Sequence, residues 1–284
     1  MLVVVPLALA GCSQSADSAP VMRDTSAHAL LDRTSGEIVL PLSEYDFYDS
    51  ESTVALANHA TDIAFSKCMN KAGFAYSAAS VEDDDDSRIG DRTYGIWNED
   101  QARLYGYGSA PSAIDSAIEA DRRAGGEQWD AAYQQCTMEP DEEIASFTPD
   151  NQELTDSLVP RLRTEAYNAA SADPAWQAAR ESWWQCLRDA GLEPRTGSSD
   201  WSSRQADDLV AAVDGADGDK EEEIRVAYTE AHCNNETGLT QTLGDLEASY
   251  QAPLIAANQA ALNDLKTENQ ERLTAVRDYI SRNG

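Results

Sequence analysis

The amino-acid sequence predicts a mainly α-helical protein with two disulfide-clipped helical units in tandem, followed by a long C-terminal helix or helical hairpin. Three observations support this fold class. A seven-residue helix ending occurs twice, in residues 68–74 and 186–192. Four cysteines follow a single N-terminal one. Apolar residues at three- to four-residue spacing run through most of residues 239–280, which is typical of a helix with a buried stripe.

The repeated ending has a Cys in what we predict to be the last helical turn and a Gly five positions later. Gly73 and Gly191 suit the left-handed residue that follows a helix. The apolar residue after each Gly, Phe74 or Leu192, can then fold back onto the residue five positions earlier. This is the Schellman pattern, and it predicts that both helices end in the same way.

The N-terminus carries an apolar segment, residues 2–9, followed by Leu-Ala-Gly-Cys. The segment has the length of a signal-peptide core and is too short to span a bilayer. The Leu-Ala-Gly-Cys run resembles a bacterial lipobox. This resemblance implies that residues 1–11 are a lipoprotein signal peptide and that Cys12 is the lipid attachment site. The alternative is a secretory signal with an unmodified Cys, since no Lys or Arg precedes the apolar core.

We divide the rest of the chain by composition. Residues 12–36 are rich in Ser, Ala and Asp and predict a flexible tether, with ends about 25–30 Å apart. Residues 37–147 form the first disulfide-clipped unit. Residues 148–284 form the second unit with the long C-terminal helix, in which Pro253 is expected to kink or break the helix. That helix is expected to pack antiparallel on a helix near 149–170 or to form a coiled-coil arm.

The four later cysteines are Cys68, Cys136, Cys186 and Cys233. An even number outside the cytoplasm indicates disulfides, and four cysteines allow three connectivities. We favour Cys68–Cys136 and Cys186–Cys233, because each unit then closes on itself. The match between the two halves is weak around the second cysteine of each pair, since Glu230 stands where the first half has Tyr133.

The formal net charge is −30, from 51 acidic and 21 basic residues. Such a charge repels nucleic acid, so we expect no nucleic-acid partner. The acidic run at 82–86 indicates a solvated loop. Calcium binding is the alternative, but the run lacks the register of an EF-hand loop. The chain has no Cys-x-x-Cys, and we predict neither a metal site nor a cofactor.

An aromatic segment lies between the first two cysteines. Its rings are Tyr94, Trp97, Tyr105 and Tyr107. Flat rings can stack on sugars, so these four residues are a possible ligand platform for cell-wall glycan. The interpretation that we favour is that they build a core, which a small disulfide-clipped unit needs.

The motifs Tyr-Gly-Ile-Trp at 94–97, Ala-Arg-x-Tyr-Gly-Tyr at 102–107 and Cys-Met-x-x-x-Gly-Phe at 68–74 occur together. In this combination the chain resembles uncharacterised secreted lipoproteins of high-GC Gram-positive (actinobacterial) bacteria with paired cysteines. The resemblance covers residues 37–140 best. It implies a lipid anchor on the extracytoplasmic face of the cell membrane, and it brings no known activity.

Catalytic motifs are absent from the sequence: it has no Gly-x-Ser-x-Gly, no phosphate-binding loop and no His-Glu-x-x-His. Its three histidines, His28, His59 and His232, are scattered. We therefore predict no catalytic residues and a non-enzymatic role in binding or scaffolding, with an envelope protein or cell-wall glycan as partner. A glycan- or peptidoglycan-binding module is the alternative, and an enzyme without a recognisable motif is the third hypothesis.

Overall fold

The computed structural model describes residues 22–48, 50–82, 87–139, 141–213 and 219–284. Cys12, the predicted signal peptide, the first part of the predicted tether and most of the acidic run lie outside the described residues. The predictions that fall on them therefore stay predictions.

The described chain is dominated by helices, which confirms the predicted mainly α fold. The helices are α1 (Glu51–Lys71), α2 (Glu99–Tyr105), α3 (Ala113–Met138), α4 (Glu142–Phe147), α5 (Asn151–Asp156), α6 (Leu158–Ala172), α7 (Pro174–Asp189), α8 (Arg204–Val213), α9 (Lys220–Thr237) and α10 (Leu239–Asn283). A short antiparallel pair, β1 (Leu30–Leu31) and β2 (Ile38–Val39), precedes them.

Both predicted helix endings are present. At the end of α1, Gly73 is left-handed with a φ of 89°, and the Phe74 N–H donates to the Met69 carbonyl at 3.0 Å. Gly191 repeats this geometry after α7, with a φ of 81°. The Schellman pattern read from the sequence is therefore confirmed in both copies.

Two disulfides hold the helices together, with the connectivity that the sequence favours. Cys68–Cys136 joins α1 to α3, and Cys186–Cys233 joins α7 to α9. The bonded residues are 68 and 47 positions apart in the chain. In the chain-entropy model, closing loops of this size stabilises the fold by about 4 kcal/mol each. Disulfides of this kind indicate an oxidising, extracytoplasmic environment.

The long C-terminal helix α10 packs along α6. Near the start of α10, the Tyr250 hydroxyl donates to Asp173, which follows α6. Further along, Arg272 pairs with Glu153 in α5, which precedes α6. The chain therefore runs in opposite directions in α10 and α6, and the two helices pack antiparallel. This is the arrangement that the sequence analysis gives as the alternative to a coiled-coil arm.

Pro253 does not break α10, which is continuous from Leu239 to Asn283, so the predicted break is wrong. A proline cannot donate to the carbonyl four residues earlier, here that of Ser249. The backbone N–H of Asp24 takes this place and donates to the Ser249 carbonyl at 2.7 Å. The N-terminal segment thus satisfies the acceptor that Pro253 leaves open, and the helix continues.

The described part of the predicted tether is packed on the body, which corrects the expectation of a flexible linker extending to residue 36. Arg23 forms an ion pair with Asp173 at 2.7 Å. The backbone N–H of Ala29 donates to Asp245 at 2.9 Å, and the His28 ring lies 3.3 Å from the same carboxylate. Hydrogen bonds to α10 fix this segment, although its composition lacks an apolar period.

The two predicted units share a core. Helix α2, from the first half, packs on α9 from the second, and α1 packs on α10. The ring of Tyr94 lies edge-on to Trp176, so aromatic residues of both halves fill one cluster. The packing across the boundary at residue 147 brings the 92–107 segment against α9, and this placement creates the site described next.

Candidate functional site

Two of the four predicted platform rings are inside the protein. Tyr94 is 0% exposed and Trp97 is 1% exposed. The Tyr94 hydroxyl donates to Glu247 at 2.6 Å, and the Trp97 ring nitrogen donates to the Asp91 carbonyl at 2.9 Å. Rings held in this way build the core, which is the interpretation favoured from the sequence, and the alternative of a stacking surface is wrong for Tyr94 and Trp97.

The other two rings lie at the end of α2. Tyr105 is half-buried, and its backbone carbonyl accepts a hydrogen bond from the Lys220 ammonium group at 2.7 Å. Tyr107 is also half-buried, but its hydroxyl oxygen is enclosed. The structure therefore brings only Tyr107 of the predicted set to a site with unused hydrogen-bonding capacity.

A cavity of about 250 Å³ lies between the 92–107 segment, the loop at 195–202 and α9. We call it the Glu230 cavity. Its charged and polar lining includes Arg92, Tyr107, Glu230, Arg195 and Asp200, and its apolar lining includes Ile96 and Trp201. The loop that forms its rim is exposed at position 199, so the cavity opens to solvent on that side.

Glu230 is the deepest polar group of this cavity and is 0% exposed. One carboxylate oxygen accepts the backbone N–H of Ser203 at 2.6 Å. The other, Oε2, has no hydrogen-bond partner within the described protein. Helix α9 is fixed on both sides of it, by the Asp219 cap at its start and by the Cys233 disulfide one turn later.

Arg92 and Tyr107 approach Glu230 from the first half of the chain. Arg92 donates through Nη1 to the Tyr107 carbonyl at 2.8 Å, which leaves Nη2 buried without a partner among the described residues. Tyr107 is placed by Gly106, whose φ of 66° favours glycine and where a Cβ would lie 2.5 Å from Glu223. The Tyr107 hydroxyl lies close enough to the Glu230 carboxyl to lower the pKa of that carboxyl through hydrogen bonding, but neither the hydroxyl nor Oε2 has a partner with full hydrogen-bond geometry among the described residues.

Burial sets the electrostatics of the cavity. It raises the pKa of the Glu230 carboxyl above its usual range, against the hydrogen bond from Ser203 that lowers it. It lowers the pKa of the Arg92 guanidinium, and it raises the pKa of the Tyr107 phenol, which the nearby Glu230 carboxylate raises further. Each group is therefore held in an environment that disfavours its charged form.

Each of these three groups has one buried atom without a hydrogen-bond partner among the described residues, namely Arg92 Nη2, the Tyr107 hydroxyl oxygen and Glu230 Oε2. A buried polar group without a partner costs about 1–3 kcal/mol, and more when it is charged. Such groups are normally satisfied by ordered water or by a ligand. A molecule that enters the cavity thus meets a donor at Arg92, an acceptor at Glu230 and a hydroxyl at Tyr107 that serves as either.

The other buried carboxyl of the core makes a useful contrast. Glu247 is 2% exposed and lines a cavity of about 300 Å³. Burial raises its pKa as well. Both of its oxygens are used, however, since one accepts the Tyr94 hydroxyl and the other the Gln251 amide at 3.0 Å. Glu247 is therefore a satisfied structural group, unlike Glu230.

Two larger surface grooves carry no such unused groups in the described part of the protein. One, of about 740 Å³, contains Arg188, Arg195 and Arg204, but all three guanidinium groups are paired with carboxylates. The other, of about 700 Å³, runs along the Cys68–Cys136 disulfide. Neither groove presents unsatisfied chemistry to a ligand.

Across the described ranges, no group of three or more His, Cys, Asp or Glu residues is arranged to hold a metal ion. In those same ranges no helix has the length and apolar character needed to cross a membrane. His59 lies half-buried on α1 and does not line the Glu230 cavity.

The sequence motifs did not indicate this cavity, because its polar groups come from both halves of the chain. One signal was nevertheless present. Glu230 is three residues before its cysteine, at the position that Tyr133 occupies in the first half. Tyr133 stacks on Trp129 inside the first unit, at 5.0 Å between ring centres. In the second half the corresponding residue of α9 is the buried carboxyl of Glu230, so a polar group replaces an aromatic ring at this position.

Comparison of the chain with protein-family models, with curated proteins and with solved structures finds no match.

Proposed function

We propose that this protein is a lipid-anchored envelope protein on the extracytoplasmic face of the membrane, which acts by binding and not by catalysis. The Glu230 cavity is its binding site. The observation that carries the proposal is that Arg92, Tyr107 and Glu230, which line one cavity, each have a buried polar atom without a hydrogen-bond partner in the described part of the chain. Their arrangement suits recognition, because it offers fixed donors and acceptors to a molecule from outside.

The location rests on two features of the chain. The disulfides require an oxidising compartment for their formation. The Leu-Ala-Gly-Cys run that ends at Cys12 supplies the lipidation motif. Two acyl chains on a single Cys give stable membrane attachment, whereas one chain gives only marginal attachment.

The anchor is tested with Cys12→Ser in an actinobacterial host, with Ser13→Ala as the matched control. We expect the wild-type protein and the control to partition with membranes and to incorporate labelled palmitate. The Cys12→Ser variant is expected in the soluble extracytoplasmic fraction without label. A Cys12→Ser variant that stays membrane-bound would contradict lipid anchoring at this residue.

The binding role is tested separately from the anchor. Binding to a digest of the cell wall is measured for the Cys12→Ser protein and for the same protein with Glu230→Gln. We expect one low-molecular-weight fraction to bind the first protein and to be lost or weakened with the second. No bound fraction, or equal binding by both proteins, would contradict the Glu230 cavity as the binding site.

A further inference from the structure

The formal charges of the residues that line the Glu230 cavity balance without a ligand: Arg92 and Arg195 are matched by Glu230 and Asp200. Arg195 is already paired, with Asp200 at 2.8 Å and with Asp207, outside the lining, at 2.7 Å. An anion would therefore face the Glu230 carboxylate, and a cation would face the Arg92 guanidinium. Either would be buried beside a like charge, which is unfavourable at low dielectric.

The unused hydrogen-bonding positions select a ligand that both donates and accepts. Glu230 Oε2 accepts, Arg92 Nη2 donates, and the Tyr107 hydroxyl does either. Hydroxyl groups have the same dual capacity. A molecule with several neighbouring hydroxyls therefore satisfies all three positions without bringing a charge.

The volume and the lining of the cavity further restrict the chemical class of ligand that it can bind. A volume of about 250 Å³ lies below the usual range of roughly 300–1,000 Å³ for sites of drug-sized ligands. The space thus suits one small ring. Ile96 and Trp201 add an apolar part to the lining, which suits the C–H face of such a ring.

We infer that the Glu230 cavity binds one neutral, hydroxyl-rich ring, namely a single sugar unit or a cyclic polyol. This inference rests on the proposed binding function and names its ligand class. It also gives the 94–107 segment a different part in sugar recognition from the exposed aromatic platform: Tyr107 supplies a hydroxyl inside the cavity, and Tyr94 and Trp97 belong to the core behind it.

The test is a titration of the full chain carrying Cys12→Ser, observed by ligand-detected NMR and calorimetry. The neutral probes are glucose, mannose, N-acetylglucosamine and myo-inositol. The charged probes are acetate, inorganic phosphate and glucosamine. We expect saturable binding of at least one neutral probe and none of the charged ones.

Substitutions of the cavity residues test whether the probes bind in the Glu230 cavity. Glu230→Gln keeps the acceptor for Ser203 but replaces the Oε2 acceptor with a donor, and Tyr107→Phe removes only the hydroxyl. Each is expected to weaken neutral-probe binding at least tenfold. Glu221→Gln, which removes the same charge from an exposed position of α9, is the control and leaves the affinity unchanged. Circular dichroism and thermal unfolding establish that each variant is folded.

The outcomes separate the ligand class from the binding function. Binding of a charged probe that Glu230→Gln weakens would overturn the neutral class but leave the cavity as a binding site. Binding of a neutral probe that is unaffected by Glu230→Gln and Tyr107→Phe would place the site elsewhere and overturn the inference. If no probe binds, the inference fails, and the wall-digest experiment decides whether the binding function fails with it.

Discussion

Glu230 and Glu247 are both buried carboxyls with a raised pKa, but they differ in how many partners they have. Glu247 uses both oxygens in hydrogen bonds to Tyr94 and Gln251. Glu230 uses one. A protein rarely retains a buried, incompletely satisfied carboxyl for stability, because a neutral side chain of the same shape is usually at least as stable there. We therefore expect Glu230 to reduce stability for the sake of binding.

Replacing Glu230 with Gln should change how the stability of the protein depends on pH. Burial holds the folded-state pKa of Glu230 above its unfolded value of about 4.3. The wild type therefore loses stability relative to the variant as the pH rises from that value through the folded-state pKa. We expect Glu230→Gln to increase the free energy of unfolding by about 1–3 kcal/mol at pH 7.

Urea unfolding of both proteins at neutral pH and near the unfolded-state pKa measures this difference. It should shrink at the lower pH, because the wild-type carboxyl is then largely protonated in the folded state and about half protonated in the unfolded state. Glu221→Gln is exposed and should change the stability by less than about 0.5 kcal/mol. Equal stability of the wild type and Glu230→Gln at neutral pH would show that the carboxyl is fully compensated.

The sequence predicts single residues well where one local rule applies. The glycines that end α1 and α7 and the four paired cysteines follow from short patterns, and the structure confirms them. Arg92 and Glu230 do not follow from such a rule, because charged residues are normally exposed. Their burial depends on contacts between the two halves, which no local pattern specifies.

At the scale of elements, α10 shows how a helix accommodates an internal proline. Pro253 leaves the Ser249 carbonyl without its helical donor, and the Asp24 N–H supplies one at 2.7 Å. Ser249 is buried, so water does not readily take this place. The sequence indicates Pro253 as a break because the compensating donor is more than two hundred residues away in the chain.

This contact predicts the effect of a proline at position 24. Asp24→Pro removes the N–H and is expected to lower the free energy of unfolding by about 1–3 kcal/mol, the usual cost of an unsatisfied buried acceptor. Asp24→Ala keeps the N–H and loses only the local hydrogen bonds to Ser26, so its effect should be smaller. Urea unfolding compares the two variants, and equal losses would contradict a special role for the backbone donor.

At the scale of the whole molecule, the two disulfides stabilise the chain similarly but stand at different distances from the cavity. Cys233 lies one helical turn after Glu230 on α9, and its disulfide ties α9 to α7. The Cys68–Cys136 bond ties α1 to α3, and neither cysteine lines the cavity. The sequence predicts both bonds, but not that the two halves share a core, because packing between distant segments has no local signature.

Replacing the cysteines of one disulfide at a time with alanine distinguishes the effect of each bond on stability from its effect on binding. Either replacement is expected to lower the free energy of unfolding by about 4 kcal/mol, because the unfolded chain gains a similar amount of freedom in both cases. Only the replacement at Cys186 and Cys233 should also weaken binding in the Glu230 cavity, since it frees the helix that carries the carboxyl. Calorimetric unfolding and the probe titration measure the two effects, and an equal loss of binding in both variants would contradict this assignment.

The hydrogen bond from the Asp24 N–H to the Ser249 carbonyl of α10 also has a consequence for a lipid-anchored protein. It fixes the point at which the N-terminal segment joins the folded part, and so limits the distance between that part and a bilayer. If Cys12 carries the lipid, only eleven residues lie between it and Asp24. The twelve residue steps from Cys12 to Asp24 span at most about 40 Å. The short linker would then keep the folded protein close to the lipid headgroups, where it can contact molecules at the membrane surface.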